Sequence, residues 1–142
     1  SYTPEVFNEI DSALAEEAIE ALSPPVSCAA KVAKAMGASD EHAVMAAGFA
    51  GGIGLSGGAC GALGTAIWLT ALNNSEEWVM ELGSVNPEGQ EVIDRFVEAS
   101  DYEFECCEIV GRKFENPGDH AAELGAGGCS ELIEALAAQS GA

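Results

Sequence analysis

Basic residues are scarce in this chain, in which 5 lysines and arginines face 24 aspartates and glutamates, for a formal charge of −19 over 142 residues. Five basic residues can neutralise few phosphates, so the composition disfavours nucleic-acid binding and docking on anionic lipid. The chain is nevertheless 48% hydrophobic, so it is not a disordered acidic tail. A lysine-poor, acidic composition is typical of cytosolic proteins of halophiles, in which salt screens the self-repulsion. The first twenty residues also lack the basic start of a secretory signal. We therefore expect a cytoplasmic protein. A halophilic one should lose structure at low ionic strength, and the alternative is an ordinary acidic, soluble protein.

Strand-like alternation, runs of β-branched residues and internal repeats are also missing. Apolar residues instead recur at helical spacing between prolines and glycines. We predict one all-α domain over residues 1–142, a compact helical bundle around a buried, glycine-rich central helix. The segments with helical patterns are residues 3–25, 26–37, 39–52, 58–74, 87–100, 102–111 and 128–139. Residues 116–120, which read NPGDH, are predicted to form a turn.

The stretch 51–64 reads GGIGLSGGACGALG and contains a G-x-G-x-x-G that begins at Gly52. A dinucleotide site also needs a strand before this motif and a suitably placed acidic residue about 20 positions later. The preceding segment favours a helix, and the next acidic residue, Glu76, follows a predicted helix and an Asn-Asn turn. A phosphate-binding loop would need lysine where Gly58 lies. We interpret these glycines as a tight turn that leaves room around Cys60 at the start of the next helix.

A charge-free run extends from Val44 to Leu72. A membrane-spanning helix needs about 20 mostly apolar residues, whereas this run contains eight glycines. The pattern indicates a central helix surrounded by other helices, and we expect no membrane insertion. The same apolar helix could also be buried against a second copy, so a homodimer is possible.

The five cysteines form no C-x-x-C pair, so the usual zinc-ribbon and thioredoxin patterns are absent. A disulfide framework is not expected in a reducing compartment. Any one of them could be a small buried hydrophobic residue, but five are many for a small acidic protein. Four lie near predicted helix starts, where free N–H groups and a positive potential stabilise a thiolate. These are Cys28, Cys60, Cys106 and Cys129. Four such starts around one site would suit an iron–sulfur cluster, whose negative charge gains from N–H donors to sulfur.

Cys106 and Cys107 are adjacent and would point about 100° apart on a helix. We expect one of them to face the site and the other to pack elsewhere.

The sequence around these cysteines resembles the redox-active family written C_GCAxxG_C_C. The resemblance rests on Cys28 in SCAAKVAKAMG, on GFAGGIGLSGGACGALGTAIWLTAL with Cys60, on ECCEIVG with Cys106, and on the late Cys129. That family is similar to the cysteine-bearing part of split-Soret cytochrome c, in which such cysteines hold an iron–sulfur centre. The resemblance implies that these four cysteines bind the cofactor and its metal, and that Cys107 takes a place that is arginine in the family. It indicates a site rather than a particular reaction or catalytic residue.

Two motif details limit what the resemblance implies. Thr65 lies where the family motif has glycine, so that glycine's role is not carried over. The chain has no C-x-x-C-H, so haem attachment is not carried over either.

Three functions are compatible with the cysteines. The first is electron transfer through an iron–sulfur cluster, with an unidentified redox partner protein. The second is a metal-free thiol–disulfide protein, which needs an exposed cysteine of depressed pKa. The third is a structural zinc site in a helical binding module. His42 or His120 could replace one zinc ligand, but lone histidines are usually surface or capping residues, so neither is included in the predicted site.

Overall fold

The computed structural model describes residues 27–74 and 87–138. Within these two ranges the regular structure is helical, apart from one isolated antiparallel bridge between Ala59 and Glu105. The all-α prediction is therefore confirmed, while the predicted helix over residues 3–25 lies outside the described residues. The helices are α1 (Cys28–Ala35), α2 (Asp40–Ala46), α3 (Gly61–Asn73), α4 (Pro87–Ala99), α5 (Cys106–Val110), α6 (Pro117–Gly125) and α7 (Ser130–Ala137), with a 3-10 turn at Ala47–Phe49.

Side-chain caps start three of these short helices. Ser27, Ser39 and Asn116 each accept a hydrogen bond from the backbone N–H three residues later, at 3.0, 3.1 and 2.8 Å. Each bond satisfies one of the N–H groups that a helix start leaves without an intrahelical partner. Helix α5 ends at Gly111, whose φ of +90° is the left-handed conformation that favours glycine, as predicted.

The prediction of a turn at residues 116–120 was wrong. Asn116 is the cap of α6 and Pro117 is its first residue, a pair that favours a helix start as well as a turn. The apolar stripe of α6 is short, since its buried residues are His120 and Leu124. Two buried positions give too weak a helical pattern to recognise in the sequence, so the Asn-Pro pair was interpreted as a turn.

Helix α3 is the central element, and it contacts α1, α4 and α7. Its buried face consists of small residues with one leucine, namely Gly61, Ala62, Thr65, Ala66 and Leu69. The hydroxyl of the fully buried Thr65 donates to the carbonyl of Gly61, at 2.8 Å. The largest fully buried side chains around this helix include Phe96, Leu136 and Val32. The buried central helix is therefore confirmed.

The glycine-rich segment before α3 is a compact loop with a left-handed backbone. The residues with positive φ are Gly51, Gly52, Ile53, Gly54, Leu55 and Gly57. At Gly52 a Cβ would lie 2.5 Å from both the N and the O of Gly58, so a side chain there has no space. The loop follows α2 and the 3-10 turn, so it lacks the strand that a nucleotide-binding loop needs.

No helix within the described ranges has both the length and the apolarity required to cross a bilayer.

Candidate functional site

Helix starts carry the four cysteines that the sequence singles out. Cys28 and Cys106 are the first residues of α1 and α5. Cys60 and Cys129 are the N-cap residues of α3 and α7. The predicted positions at helix starts are confirmed, and each cysteine lies beside backbone N–H groups that its helix does not use.

The same four cysteines line one small cavity of about 20 Å³. We call it the cysteine cavity, and its four thiols the cavity cysteines. Apart from His120, the rest of the lining is apolar or glycine, and the larger apolar side chains are Ile109, Val110, Phe114 and Leu132. A cavity of this size has room for about one water-sized group.

The bridge between Ala59 and Glu105 brings two of the cavity cysteines side by side. The N–H of Cys60 donates to the carbonyl of Phe104 at 2.8 Å, and the N–H of Cys106 donates to the carbonyl of Gly58 at 2.7 Å. These bonds join the glycine-rich loop to the segment before α5. Positions far apart in the sequence are thereby held at one end of α3.

Cys129 reaches the cavity from a tight turn between α6 and α7. The turn includes Gly127, at φ +93°, and Cys129 itself has a left-handed backbone, at φ +61°. The N–H of Gly128 donates to the carbonyl of Glu123 at 2.9 Å, and the close approach of Glu123 leaves no room for a Cβ at Gly128. The glycines therefore allow the sharp reversal that presents Cys129.

Burial raises the pKa of each cavity cysteine. It raises the pKa of Cys60 to about 11 and that of Cys106 to about 12, and repulsion from neighbouring cysteines adds to both shifts. The pKa values of Cys28 and Cys129 are also raised, mainly by burial. The backbone N–H groups of Gly51 and Ala62 lower the pKa of Cys28, but burial outweighs them. The expectation that helix starts produce thiolates is therefore wrong for the metal-free chain, in which these groups are protonated at neutral pH.

The donor set suits a thiophilic metal, but the sulfur positions do not yet form a coordination sphere. In the part of the chain that the structure describes, no three histidine, cysteine or carboxylate side chains are grouped so that they could hold a metal ion. Binding would require the cavity to widen beyond its present water-sized volume. The four thiols would also have to turn toward the bound group and release their protons, since metals bind the thiolate. The N–H groups beside Cys28 would then act on a charged sulfur, which they favour.

Cys107 is not part of the cavity lining. Its N–H donates to the carbonyl of Gly57 at 3.1 Å, and a Cβ at Gly57 would lie 3.2 Å from the Cβ of Cys107. The chain thus places Cys106 in the cavity and packs Cys107 against the glycine-rich loop. All five cysteines are free thiols in this structure.

His120 is a residue of the cavity that the sequence analysis weighed as a zinc ligand and left out of the predicted site. It lines the cavity and is 3% exposed, whereas His42 packs edge-on against Trp68, with ring centroids 5.5 Å apart. The available signal was the spacing of His120 and Leu124 on the short helix that follows Asn116. Because that segment was interpreted as a turn, this spacing was not used, and His120 was treated as an ordinary surface or capping histidine.

Comparison with known proteins identifies one family. The family model described as "Putative redox-active protein (C_GCAxxG_C_C)" matches residues 26–140, a range that contains all four cavity cysteines. Neither a curated protein nor a solved structure matches the chain.

Proposed function

We propose, because the chain belongs to the C_GCAxxG_C_C family of redox-active proteins, that it is an electron-transfer protein whose cavity cysteines bind an iron–sulfur cluster. The observation that carries this proposal is the convergence of four helix starts, each with a cysteine, on one buried cavity. Cysteine thiolates are the usual ligands of such clusters, and N–H donors to sulfur stabilise the negative charge. When bound, the cluster would supply a centre that gains and loses one electron at a time.

The chain's own residues would insulate and tune that centre. The apolar side chains of Ile109, Val110, Phe114 and Leu132 would keep water from the sulfur atoms. Backbone N–H groups near Cys28 and Cys60 would donate to the thiolates. The acidic chain would oppose added negative charge and so lower the reduction potential. The electron would come from a reduced partner protein and pass to an oxidised one, with no bond made or broken in this chain.

The metal-free thiol–disulfide function has less support from the geometry. Attack on a disulfide needs an accessible thiolate, and a depressed pKa provides it. The cavity cysteines are buried or half-buried, and their pKa values are raised. A structural zinc site would use the same four thiols, but zinc does not change its oxidation state. The description of the family as redox-active therefore favours iron over zinc.

The test is anaerobic purification, followed by incubation with ferrous iron, sulfide and a thiol reductant. We expect a brown protein that contains iron and acid-labile sulfide. Serine substitution at each cavity cysteine should remove most of the visible absorbance and most of the iron. The substituted positions are Cys28, Cys60, Cys106 and Cys129.

Cys107→Ser is the matched control, since it changes the same residue type one position from Cys106 but outside the cavity. This variant should keep its colour and its iron. A colourless protein with one tightly bound zinc would overturn the cluster proposal in favour of the structural site. A colourless, metal-free protein whose thiols disappear in pairs on oxidation would overturn it in favour of thiol–disulfide exchange.

A further inference from the structure

His120 is the titratable residue of the cysteine cavity that is not a cysteine. It is 3% exposed, and its ring packs edge-on against Phe114, with centroids 4.6 Å apart. Helix α6 places His120 in the cavity, and the first turn of this helix is held by two sets of hydrogen bonds. Asn116 caps that helix, and Arg112 binds Asp119, the neighbour of His120, through two hydrogen bonds of 2.7 and 2.8 Å.

One ring nitrogen of His120 has a partner that decides its protonation. The backbone N–H of Cys28 donates to Nε2 at 3.2 Å, so Nε2 must present a lone pair. A ring nitrogen that accepts a hydrogen bond carries no proton, so the geometry itself requires the neutral imidazole. A neutral ring that accepts at Nε2 carries its proton on Nδ1.

Nδ1 is therefore a buried donor. Among the described residues it has no hydrogen-bond partner. Native proteins rarely leave a buried polar group unsatisfied, because its lost hydrogen bonds to water are then not replaced. In a cavity lined by four thiols, the natural acceptor for this N–H is sulfur.

The same hydrogen bond argues against His120 as a metal ligand. A neutral imidazole that bound metal through Nδ1 would carry its proton on Nε2. That proton would then point at the N–H of Cys28, so two donors would face each other. His120 is better suited to donate a hydrogen bond than to replace a cysteine.

We infer that the Nδ1–H of His120 donates a hydrogen bond to sulfur of the bound iron–sulfur group and raises its reduction potential. This inference rests on the proposed function and assigns His120 as a hydrogen-bond donor to the centre, with its ring held in place by the bond from the N–H of Cys28 to Nε2. One-electron reduction adds negative charge to the centre, and a neutral N–H donor stabilises that charge. His120 itself neither gains nor loses a proton or an electron in this role.

Two substitutions at His120 distinguish the roles of its two ring nitrogens. His120→Gln can keep an acceptor near the Nε2 position for the N–H of Cys28, but it lacks the donor at Nδ1. His120→Asn places an amide N–H near the Nδ1 position and lacks the acceptor. Protein loaded with iron and sulfide is titrated in a spectroelectrochemical cell, with iron and sulfide contents measured for each variant.

We expect His120→Gln to bind as much iron and sulfide as the wild type but to have a lower reduction potential. The reduction potential of His120→Asn should lie closer to that of the wild type. His42→Gln, the control at the other histidine, should have the wild-type reduction potential. Equal potentials for the wild type and His120→Gln overturn the inference and leave the proposed function standing. A wild-type protein that binds no cluster overturns both.

A second measurement needs no variant to fold. Wild-type protein loaded with iron and sulfide and labelled with ¹⁵N-histidine is studied by pulsed electron paramagnetic resonance, in the paramagnetic oxidation state of the cluster. A weak coupling to one histidine nitrogen is the expected result. A strong coupling, as for a nitrogen bound directly to iron, overturns the role as donor, and so does the absence of any coupling.

Discussion

Among single residues, Cys129 combines a side chain that lines the cysteine cavity with a left-handed backbone, at φ +61°. A side chain in this conformation costs about 1–2 kcal/mol, a cost that glycine avoids. Glycine occupies the nearby position 127 in the same region of backbone space. Strained backbone of this kind is concentrated at functional sites, which supports a role for the thiol of Cys129 beyond packing.

Cys129→Gly should therefore be more stable than Cys129→Ala by about 1 kcal/mol in the metal-free protein. Both variants lose the thiol, so the difference between their free energies of unfolding reports the backbone strain at position 129. Urea unfolding at neutral pH measures it. The same pair of substitutions at Cys28, the first residue of α1, should instead favour alanine. A Cys129→Ala protein that is at least as stable as Cys129→Gly would show that the backbone at position 129 is not strained.

Among the helices, α3 carries two glycines with opposite surroundings. A Cβ at Gly61 would overlap the carbonyl oxygen of Phe49, whereas a Cβ at Gly64 would meet nothing within 4 Å. Gly61 also lines the cysteine cavity next to Cys60. Its missing side chain lets the 3-10 turn lie directly against the start of α3, which helps to place Cys60.

Gly61→Ala should lower the free energy of unfolding by about 1–3 kcal/mol, because backbone must move to admit the methyl group. It should also reduce iron loading, since the displaced backbone adjoins Cys60. Gly64→Ala is the control in the same helix and should raise stability by about 0.5–1 kcal/mol through helix propensity. Thermal unfolding and iron analysis of both variants provide the comparison. A Gly61→Ala protein as stable as Gly64→Ala would show that this close approach does not matter.

Helix α6 depends on a charged contact at its first turn. Hydrogen bonds from Arg112 and from the N–H of Glu115 lower the pKa of Asp119 from 3.8 to about 2. A carboxyl group whose pKa is depressed by folding stabilises the protein at pH values above its ordinary pKa. That contribution is lost as the pH falls through about 2. The contact between Arg112 and Asp119 thus stabilises the start of α6, the helix that carries His120.

Asp119→Asn should therefore destabilise the protein at neutral pH, and the deficit relative to the wild type should shrink as the pH falls from about 4 to about 2. Urea unfolding over this range gives the measurement. Arg112→Gln should show the same pH-dependent loss, and the double variant should add little to it between pH 4 and 2. A deficit that stays constant down to pH 2 would contradict the assigned contact.

Over the entire chain, the dominant electrostatic quantity is the charge of −19. Carboxylates far outnumber the cations available to pair with them, so the folded state is subject to self-repulsion. Salt screens this repulsion, because the Debye length falls from about 30 Å at 0.01 M to about 3 Å at 1 M ionic strength.

Potassium chloride over this range should raise the urea midpoint of the metal-free protein. Sodium chloride should act in the same way, because screening depends on ionic strength. Sulfate is avoided because it also strengthens the burial of apolar surface. A midpoint that is constant or falls with chloride concentration would exclude the salt dependence expected from the composition.

Local signals in the sequence predicted much of the fold. Ser39, Gly37 and Gly111 mark helix ends that the structure confirms, because capping depends on nearby residues alone. The four cysteines at helix starts were predictable for the same reason. The raised pKa values and the role of His120 were not, since burial and the bond to Cys28 depend on segments far apart in the sequence. The bridge between Ala59 and Glu105 is a similar long-range contact without a local signal.

The hydrogen bond from Cys28 to His120 joins residues that are 92 positions apart in the sequence, so the two sides of the cavity are synthesised at different times. A ribosome delivers Cys28 first and the turn with Cys129 long afterwards, so a nascent chain offers only part of the cavity lining. A cluster delivered during translation would meet an incomplete set of thiols. Insertion of the proposed cluster is therefore expected only after Cys129 has been synthesised, and a chain that stopped before α6 would lack this fourth thiol. Loading would then also serve as a check that synthesis had passed that point.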